Sequence, residues 1–455
     1  MGQAIESLAR LVAETRWDDV PEAVRRHAKL VLLDTMGVIL AGSQQPELRA
    51  LRQQLAIGAG AGATILARGF PTTDPRVAAF ANGTAGRSIE LCESHRFVAC
   101  QAAVQVFPGV FAAAESRGSS GRDMLLALIL GYDVAIRLGA GTTQRPLAHQ
   151  NGQTALIGAI AGASRLRGLD AEQTSGAMRI GATFVLVPSY TNAVDGATTL
   201  NAAGGMSGLA GGLVTDLAEA GFLAQADAIE EALTHLVADR FEPERVTEAL
   251  GERWEITRNA FRLRACCIPT YASLDALEAA LAELGAPPEA IARIDIATYR
   301  FASAMRSQQP RNGFAARYSL PHAAAAIVLR GSAGIDSFAE ETVRDPAFVA
   351  LRARVHVSED PALTAMFPAS KPGRVTVTLQ NEQQVTRQVD SARGDFQRPY
   401  AESEIREKFR ALAGRSLTEA GVAALEHAID ATDEWSDVRC LAATLRAHSR
   451  AECGD

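Results

Sequence analysis

The stretch RLRACCIPTY, Arg262 to Tyr271, sets two adjacent cysteines between a pair of arginines and a tyrosine. Four chemistries fit such a string: a redox pair, a metal site, a reactive thiol, or a pocket wall for something acidic. Neighbouring cysteines such as Cys266 and Cys267 rarely bridge without strain. The other cysteines, Cys92, Cys100, Cys440 and Cys453, form no C-x-x-C and no Cys/His grouping with zinc-ligand spacing, so the redox and metal readings lose support. What remains is a cleft wall in which Arg262 and Arg264 supply charge for a carboxylate, with the bidentate contact that lysine lacks. Cys267 beside them is either an acid/base thiol, should the arginines lower its pKa, or a buried inert cysteine.

Other residues carry comparable pairs of readings. His149, in LAHQNG, has an ordinary pKa near ~6.5 that suits a general base, against the alternative of a helix-cap or core histidine. Tyr271, four residues before Asp275, can donate a proton or simply pack. His322 precedes the apolar run AAAAIVL and can point from the start of that helix into a cleft. Arg145 is a further candidate carboxylate clamp, or one more solvated arginine. In SIELCESHRFVAC, Glu90 and Glu93 are acid/base candidates or a surface helix face, while His95 and Arg96 read as exposed. Asp195, in NAVDGAT, reads as a turn residue.

The elements that must position these groups change character along the chain. Up to about residue 260 the pattern is helical almost throughout. PEAVRRHAKLVLLDTMGVILAG starts at Pro21, a natural first helical position, and ends at Gly42. In DAEQTSGAMRIGAT, Asp170 with Gln173 spells a capping box. Alanine and glycine are frequent enough for helices to approach closely, most of all in NAAGGMSGLAGGLVTDLAEAGF. That run follows no strand and has no GK[ST], so it is not a nucleotide loop. After about residue 265, ARIDIATYR, RARVHVSED and GRVTVTLQNEQQVTRQV alternate apolar and polar residues as half-exposed strands do, with QNEQQ at a hairpin turn. Helical stretches at 274–284 and 321–329 intervene, and helices return from SEIREKFRALAGR onward. The reading is a mainly α protein: a large all-helical domain built from 1–265 and 396–455, with a smaller α+β lid inserted at 266–395. Small-molecule sites favour such interdomain clefts.

Bulk properties narrow the partners. A net charge of -7 argues against a nucleic-acid binder, whose surface should be basic, yet leaves room for a local basic pocket. The charged N-terminus reads as an amphipathic helix, and no apolar run reaches the roughly 18 charge-free residues that span a bilayer, so a cytoplasmic protein without a membrane partner is expected.

Five ordered segments carry a resemblance: HAKLVLLDTMGVILAG, FANGTAGRSIE, AHQNGQTALIGAIAGASRLRGLDAEQ, CCIPTYASLDAL and ARYSLPHAAAAIVLRG. In these the chain resembles the MmgE/PrpD family, which includes methylcitrate dehydratase, cis-aconitate decarboxylase and iminodisuccinate epimerase. The resemblance implies a homodimer, a helical domain with a lid, and proton-transfer chemistry beside a carboxylate of a small polycarboxylate, without metal or organic cofactor. It places Glu90 where the family has an aspartate, Ser94 at a threonine, Cys100 and Cys267 at histidines, Arg262 at a lysine and His322 at a tyrosine. His149 matches the family histidine, whereas the lysine expected before GGMSGLAGG is missing, with Ala197 or Thr198 near its place. The expected activity is a lyase of the dehydratase or decarboxylase type. An epimerase of an imino- or amino-dicarboxylate, with two opposed bases, and a homologue that binds without turnover are the alternatives.

Overall fold

The computed structural model describes residues 2–55 and 62–451, so Cys453 lies outside the described residues. Its centre is the helix Glu22–Gly42, whose last three turns are buried all round by Val31, Leu33, Met36, Val38, Ile39 and their neighbours. Pro21 precedes this helix as its N-cap, one position earlier than the sequence pattern puts it. Each such aliphatic side chain stabilises by about 1.5–3 kcal/mol on leaving water. The helix packs on Pro75–Arg87 from its own half and on Glu402–Ala413 from the far end of the chain. One apolar core therefore runs from Ile5 to Phe261 and takes up the chain again from Ile405 to Leu445.

Helices Ala103–Arg117, Gly121–Gly141, Thr154–Arg167 and Thr199–Glu219 complete this core. Their small residues allow backbone contact: a Cβ on Gly83 would lie 2.9 Å from the Gly205 Cα. Asp170 and Gln173 form the expected capping box at the start of Ala171–Gly181. Gly121–Gly141 is long and apolar enough to cross a membrane, but 89% of its most apolar window is buried here, and it carries the Asp133–Arg137 pair at 2.5 Å. Among the described residues the helical unit also holds three two-stranded ribbons, one of them Ser94–His95 against Asn259–Ala260.

A second core holds the lid residues from Ala265 to Leu379 and takes in Val38, Ala41, Ile89, Leu91, Cys92, Val104 and Leu412 from the helical unit. Its sheet contains β1 (Ile291–Thr298), β2 (Val355–Glu359), β3 (Gly373–Leu379) and β4 (Gln384–Val389), in the spatial order β4-β3-β1-β2. β3 alternates buried and half-buried residues, as its sequence pattern requires, and β4 is the exposed edge. β1 pairs in parallel with β2, Ile294 opposite Val355, which demands a crossover, supplied in part by Leu320–Arg330 and Pro346–Arg352. Helix Tyr271–Leu284 packs against β3 and β4. The two chain crossings between the units lie side by side, with the Phe261 amide donating to the Gly394 carbonyl at 2.8 Å.

Candidate active site

Helix Pro75–Arg87 ends just before Glu90, and that ending builds the site. Glu90 has a φ of +51°, in the left-handed region that residues with a Cβ seldom adopt. A conformation of this kind costs about 1–3 kcal/mol and persists when surrounding contacts over-determine it. Here the Glu90 carboxylate accepts from Arg87 at 2.6 Å, Tyr318 at 2.8 Å and Arg262 at 2.7 Å, and its carbonyl accepts from Arg262 at 3.2 Å. Arg87 also donates to the Cys92 sulfur at 2.7 Å. Burial pushes the Glu90 carboxyl up, but Arg87, Arg262 and Tyr318 outweigh it and hold the pKa at about 2. Glu90 is thus a fixed anion between two guanidiniums, and Nε of both Arg87 and Arg262 has no hydrogen-bond partner among the described residues. Arg317 adds a third guanidinium, anchored on the carbonyls of Ile89 and Ala265 at 2.9 and 3.0 Å; burial lowers its pKa to about 10. Glycine makes room for this group, because a Cβ on Gly204 would lie 2.4 Å from the Arg87 Cγ.

Cys267 borders the cluster. Its sulfur lies 3.7 Å from the Tyr190 hydroxyl, and burial together with the Glu90 charge pushes the thiol up to about 12. Of the two readings of this thiol, a pKa lowered by the arginines is the one that the electrostatics oppose: Cys267 stays protonated at neutral pH. Tyr190 stacks on His149 with ring centres 5.6 Å apart and meets Tyr318 edge-on at 6.3 Å. Burial and the Arg87 charge lower the His149 pKa to about 3, so the ring is neutral. Its Nδ1 accepts from the Asn151 amide at 3.2 Å, an assignment that leaves the ring proton on Nε2. As oriented, His149 is a hydrogen-bond donor, and the general-base reading would need the other tautomer.

The remaining sequence candidates separate from this group. Ser94 and Tyr271 line a neighbouring interdomain cavity of about 40 Å³. The Tyr271 hydroxyl donates to the Arg264 carbonyl, and the Arg264 guanidinium, 5.4 Å above the Tyr271 ring, pairs with Asp275 at 2.7 Å and Glu278 at 2.8 Å. Both residues thereby tie the start of the lid to its first helix. Cys100 is buried in the helical core. His322 is a core histidine: its Nε2 contacts the Ser337 carbonyl at 2.7 Å, its Nδ1 contacts Arg352 at 2.9 Å, and Phe338 and Phe348 flank it. Arg145 is a surface residue paired with Asp239 at 3.3 Å. His95 and Arg96, expected to be exposed, pair instead with Glu255 at 3.2 Å and Asp395 at 3.0 Å; the short strand Ser94–His95 is covered by Asn259–Ala260, and Arg96 follows it directly. Glu93 is fully buried against Tyr132 at 2.8 Å and the Ala103 amide, and burial raises its pKa to about 7. Among the described residues no group of three His, Cys, Asp or Glu side chains is placed to hold a metal ion.

Sequence reasoning passed over Arg87, Tyr190, Arg317 and Tyr318. Arg87 precedes Glu90 by three residues, a readable ion-pair spacing, and Tyr318 stands in the same RYSLPH as His322. Tyr190 gave no signal, since only the folding of its loop onto His149 brings it in.

A helical unit, an α+β unit, and a buried, cation-rich cluster where they meet are the features that the comparisons with known proteins have to match. Residues 6–241 match the MmgE/PrpD N-terminal domain and residues 265–434 the MmgE/PrpD C-terminal domain, so the chain belongs to the MmgE/PrpD family. It is 24% identical to a cis-aconitate decarboxylase-like protein of Aspergillus oryzae, covering 98% of this chain and 97% of that one. It is also 24% identical to the cis-aconitate decarboxylase of Aspergillus terreus, over 93% and 92% of the two chains. The human cis-aconitate decarboxylase is 24% identical over 98% and 95%.

Proposed function

We propose that the protein is a lyase that decarboxylates or dehydrates a small di- or tricarboxylate, with proton transfer at a carbon beside a carboxylate. One observation carries this reading: two guanidiniums, Arg87 and Arg262, hold the carboxylate of Glu90, a third, Arg317, is anchored on the carbonyls of Ile89 and Ala265 beside it, and the group adjoins three proton-bearing side chains, Cys267, Tyr190 and His149. The excess of positive charge favours an anionic guest, more so in a buried site than in water. Membership of the MmgE/PrpD family and the names of the decarboxylase relatives support the reaction class.

In a decarboxylation the bond from carbon to the departing carboxylate breaks. Its electron pair passes into the carbon framework, where the remaining carboxylate and the cations around it stabilise the charge. A proton must then reach carbon. The Cys267 thiol is the donor this geometry offers, with Tyr190 placed to return a proton to its sulfur. His149 contributes an Nε2–H to a substrate oxygen, and Glu90 keeps Arg87 and Arg262 in place. In the same reading the chain works as a homodimer.

Proton NMR in D₂O tests the proposal, with cis-aconitate first and then methylcitrate, citrate, iminodisuccinate, tartrate and malate. Loss of carbon dioxide or water, with deuterium entering beside a carboxylate, is the expected result. Loss of chirality without loss of mass would turn the reading to an epimerase. Silence across the panel from folded protein would leave a homologue that binds without turnover.

A further inference from the structure

Lysine is rare in this chain, which has only Lys29, Lys371 and Lys408. Two of these are engaged in ion pairs, Lys29 with Asp433 at 2.5 Å and Lys408 with Asp34 at 2.6 Å. The ammonium of Lys371 has no ion pair or hydrogen bond among the described residues. It lines the interdomain cavity of about 40 Å³ with Ser94 and Arg96 from the helical side and Ile268 and Tyr271 from the lid. Burial and the nearby Arg96 charge hold its pKa down at about 8, and its charge also feels Cys267, Asp395 and Arg262. A half-buried ammonium without a counter-ion is costly, and an anion removes that cost.

The backbone fixes where this charge stands. The Lys371 amide donates to the Asp390 carbonyl at 3.2 Å, and the carbonyl of Pro372 accepts from Thr298 Oγ1 at 2.7 Å. Gly373 lies so close to the first helix of the lid that a Cβ there would sit 2.3 Å from Ser273 Oγ. Lys371 is therefore held where β1 ends, β3 begins and helix Tyr271–Leu284 starts. Tyr299, the residue after Thr298, is 1% exposed and its hydroxyl has no partner among the described residues. Its ring stacks on Phe367, with centres 5.2 Å apart and planes 10° from parallel. Burial, and after it the Cys267 sulfur, keep this hydroxyl protonated as a donor.

We propose that Lys371 and Tyr299 form a second anion-holding pair on the lid side of Cys267, which takes one carboxylate of a substrate whose other carboxylate lies against Arg262 and Arg87. The inference rests on the carboxylate reading above and deepens it. Lys371 supplies the charge and Tyr299 a directed O–H, so the pair selects substrates with two separated carboxylates over those with one.

Titration calorimetry of the full chain with tricarballylate, glutarate and butyrate as probes tests this. Lys371→Met should weaken binding of tricarballylate and glutarate by about 10- to 100-fold, the usual range for a hydrogen bond to a charged group, and leave butyrate unchanged. Lys371→Arg should restore most of the loss, and Tyr299→Phe should weaken the same two probes by a smaller factor. Lys371 has no native partner to lose, so the melting temperature of Lys371→Met should stay close to wild type; Lys371→Gln replaces it should that variant not fold. Unchanged affinity for the two polycarboxylates, or an equal loss for butyrate, would overturn the subsite alone. Wild-type protein that binds none of the three probes would overturn the carboxylate reading itself, and the subsite with it.

Discussion

Arg262 and Arg264 stand two residues apart, yet they serve different parts of the molecule. Arg262 is 2% exposed and finds Glu90, 172 residues earlier, in the helical domain. Arg264 finds Asp275 and Glu278, a short distance downstream on the first lid helix. The adjacent cysteines divide in the same way. Cys266 enters the lid core with its sulfur 3.6 Å from the Thr270 hydroxyl, while Cys267 faces Tyr190 from the helical domain. Partners supplied from far along the chain build the buried cluster, and partners supplied locally fasten the start of the lid to its first helix. Residue type announces a charge or a thiol, but the distance along the chain to its partner decides what it does.

The sharpest break in this contrast would come from the cysteines. Cys267→Ala should lower kcat by about 10²–10⁴ if the thiol delivers the proton, whereas Cys266→Ala should leave turnover intact. Steady-state kinetics on the substrate found by NMR decides, and equal effects would dissolve the distinction. Next comes the arginine pair. Arg262→Ala leaves a buried carboxylate short of a partner and should cost about 3–5 kcal/mol in urea unfolding. Arg264→Ala, at a partly solvated pair, should cost about 1 kcal/mol or less.

Acid titration sharpens the same comparison. The Glu90 carboxyl sits at about 2 in the folded chain against an ordinary 4.5, so its contribution to stability is fully present above pH 4.5 and is lost as the pH falls toward 2. The amount is about 3 kcal/mol. Urea midpoints measured at pH 5 and pH 3 should fall further in wild type than in Arg262→Ala, where that carboxyl is less depressed. An equal fall would show that Glu90 gains nothing from Arg262. A more modest effect than that of Arg262→Ala belongs to Gly204→Ala, whose Cβ would press on the Arg87 Cγ. Overpacking there should cost about 1–3 kcal/mol by thermal or urea unfolding, and displacement of Arg87 should lower kcat as well.

Much of the fold was legible because local patterns and burial agree. The pattern placed strands at 292–300 and a hairpin at 373–389, and the structure has β1 at Ile291–Thr298 and a hairpin of Gly373–Leu379 and Gln384–Val389. The helix expected at 321–329 is Leu320–Arg330. Periodicity survives folding here because each element buries one face or a whole turn. The candidate site was legible only in part. Glu90, Arg262, Cys267 and His149 come together as a group, whereas His322 and Arg145 read as plausible from type and neighbourhood and lie elsewhere. An apolar run after a histidine looks alike whether the imidazole faces a cleft or, as His322 does, a core carbonyl.

The sequence by itself determined the elements, the helical-then-mixed order and the net charge of -7. It also settled that arginine rather than lysine would carry most of the positive charge, since these follow from composition and spacing of 2 or 3.6 residues. Tertiary structure alone decided that Tyr190 stacks on His149, that Cys267 keeps its proton, and that Lys371 finds no ion pair among the described residues. Those properties depend on burial and on charges contributed from distant segments. Electrostatic and desolvation energies act through space, and neither has a period along the chain.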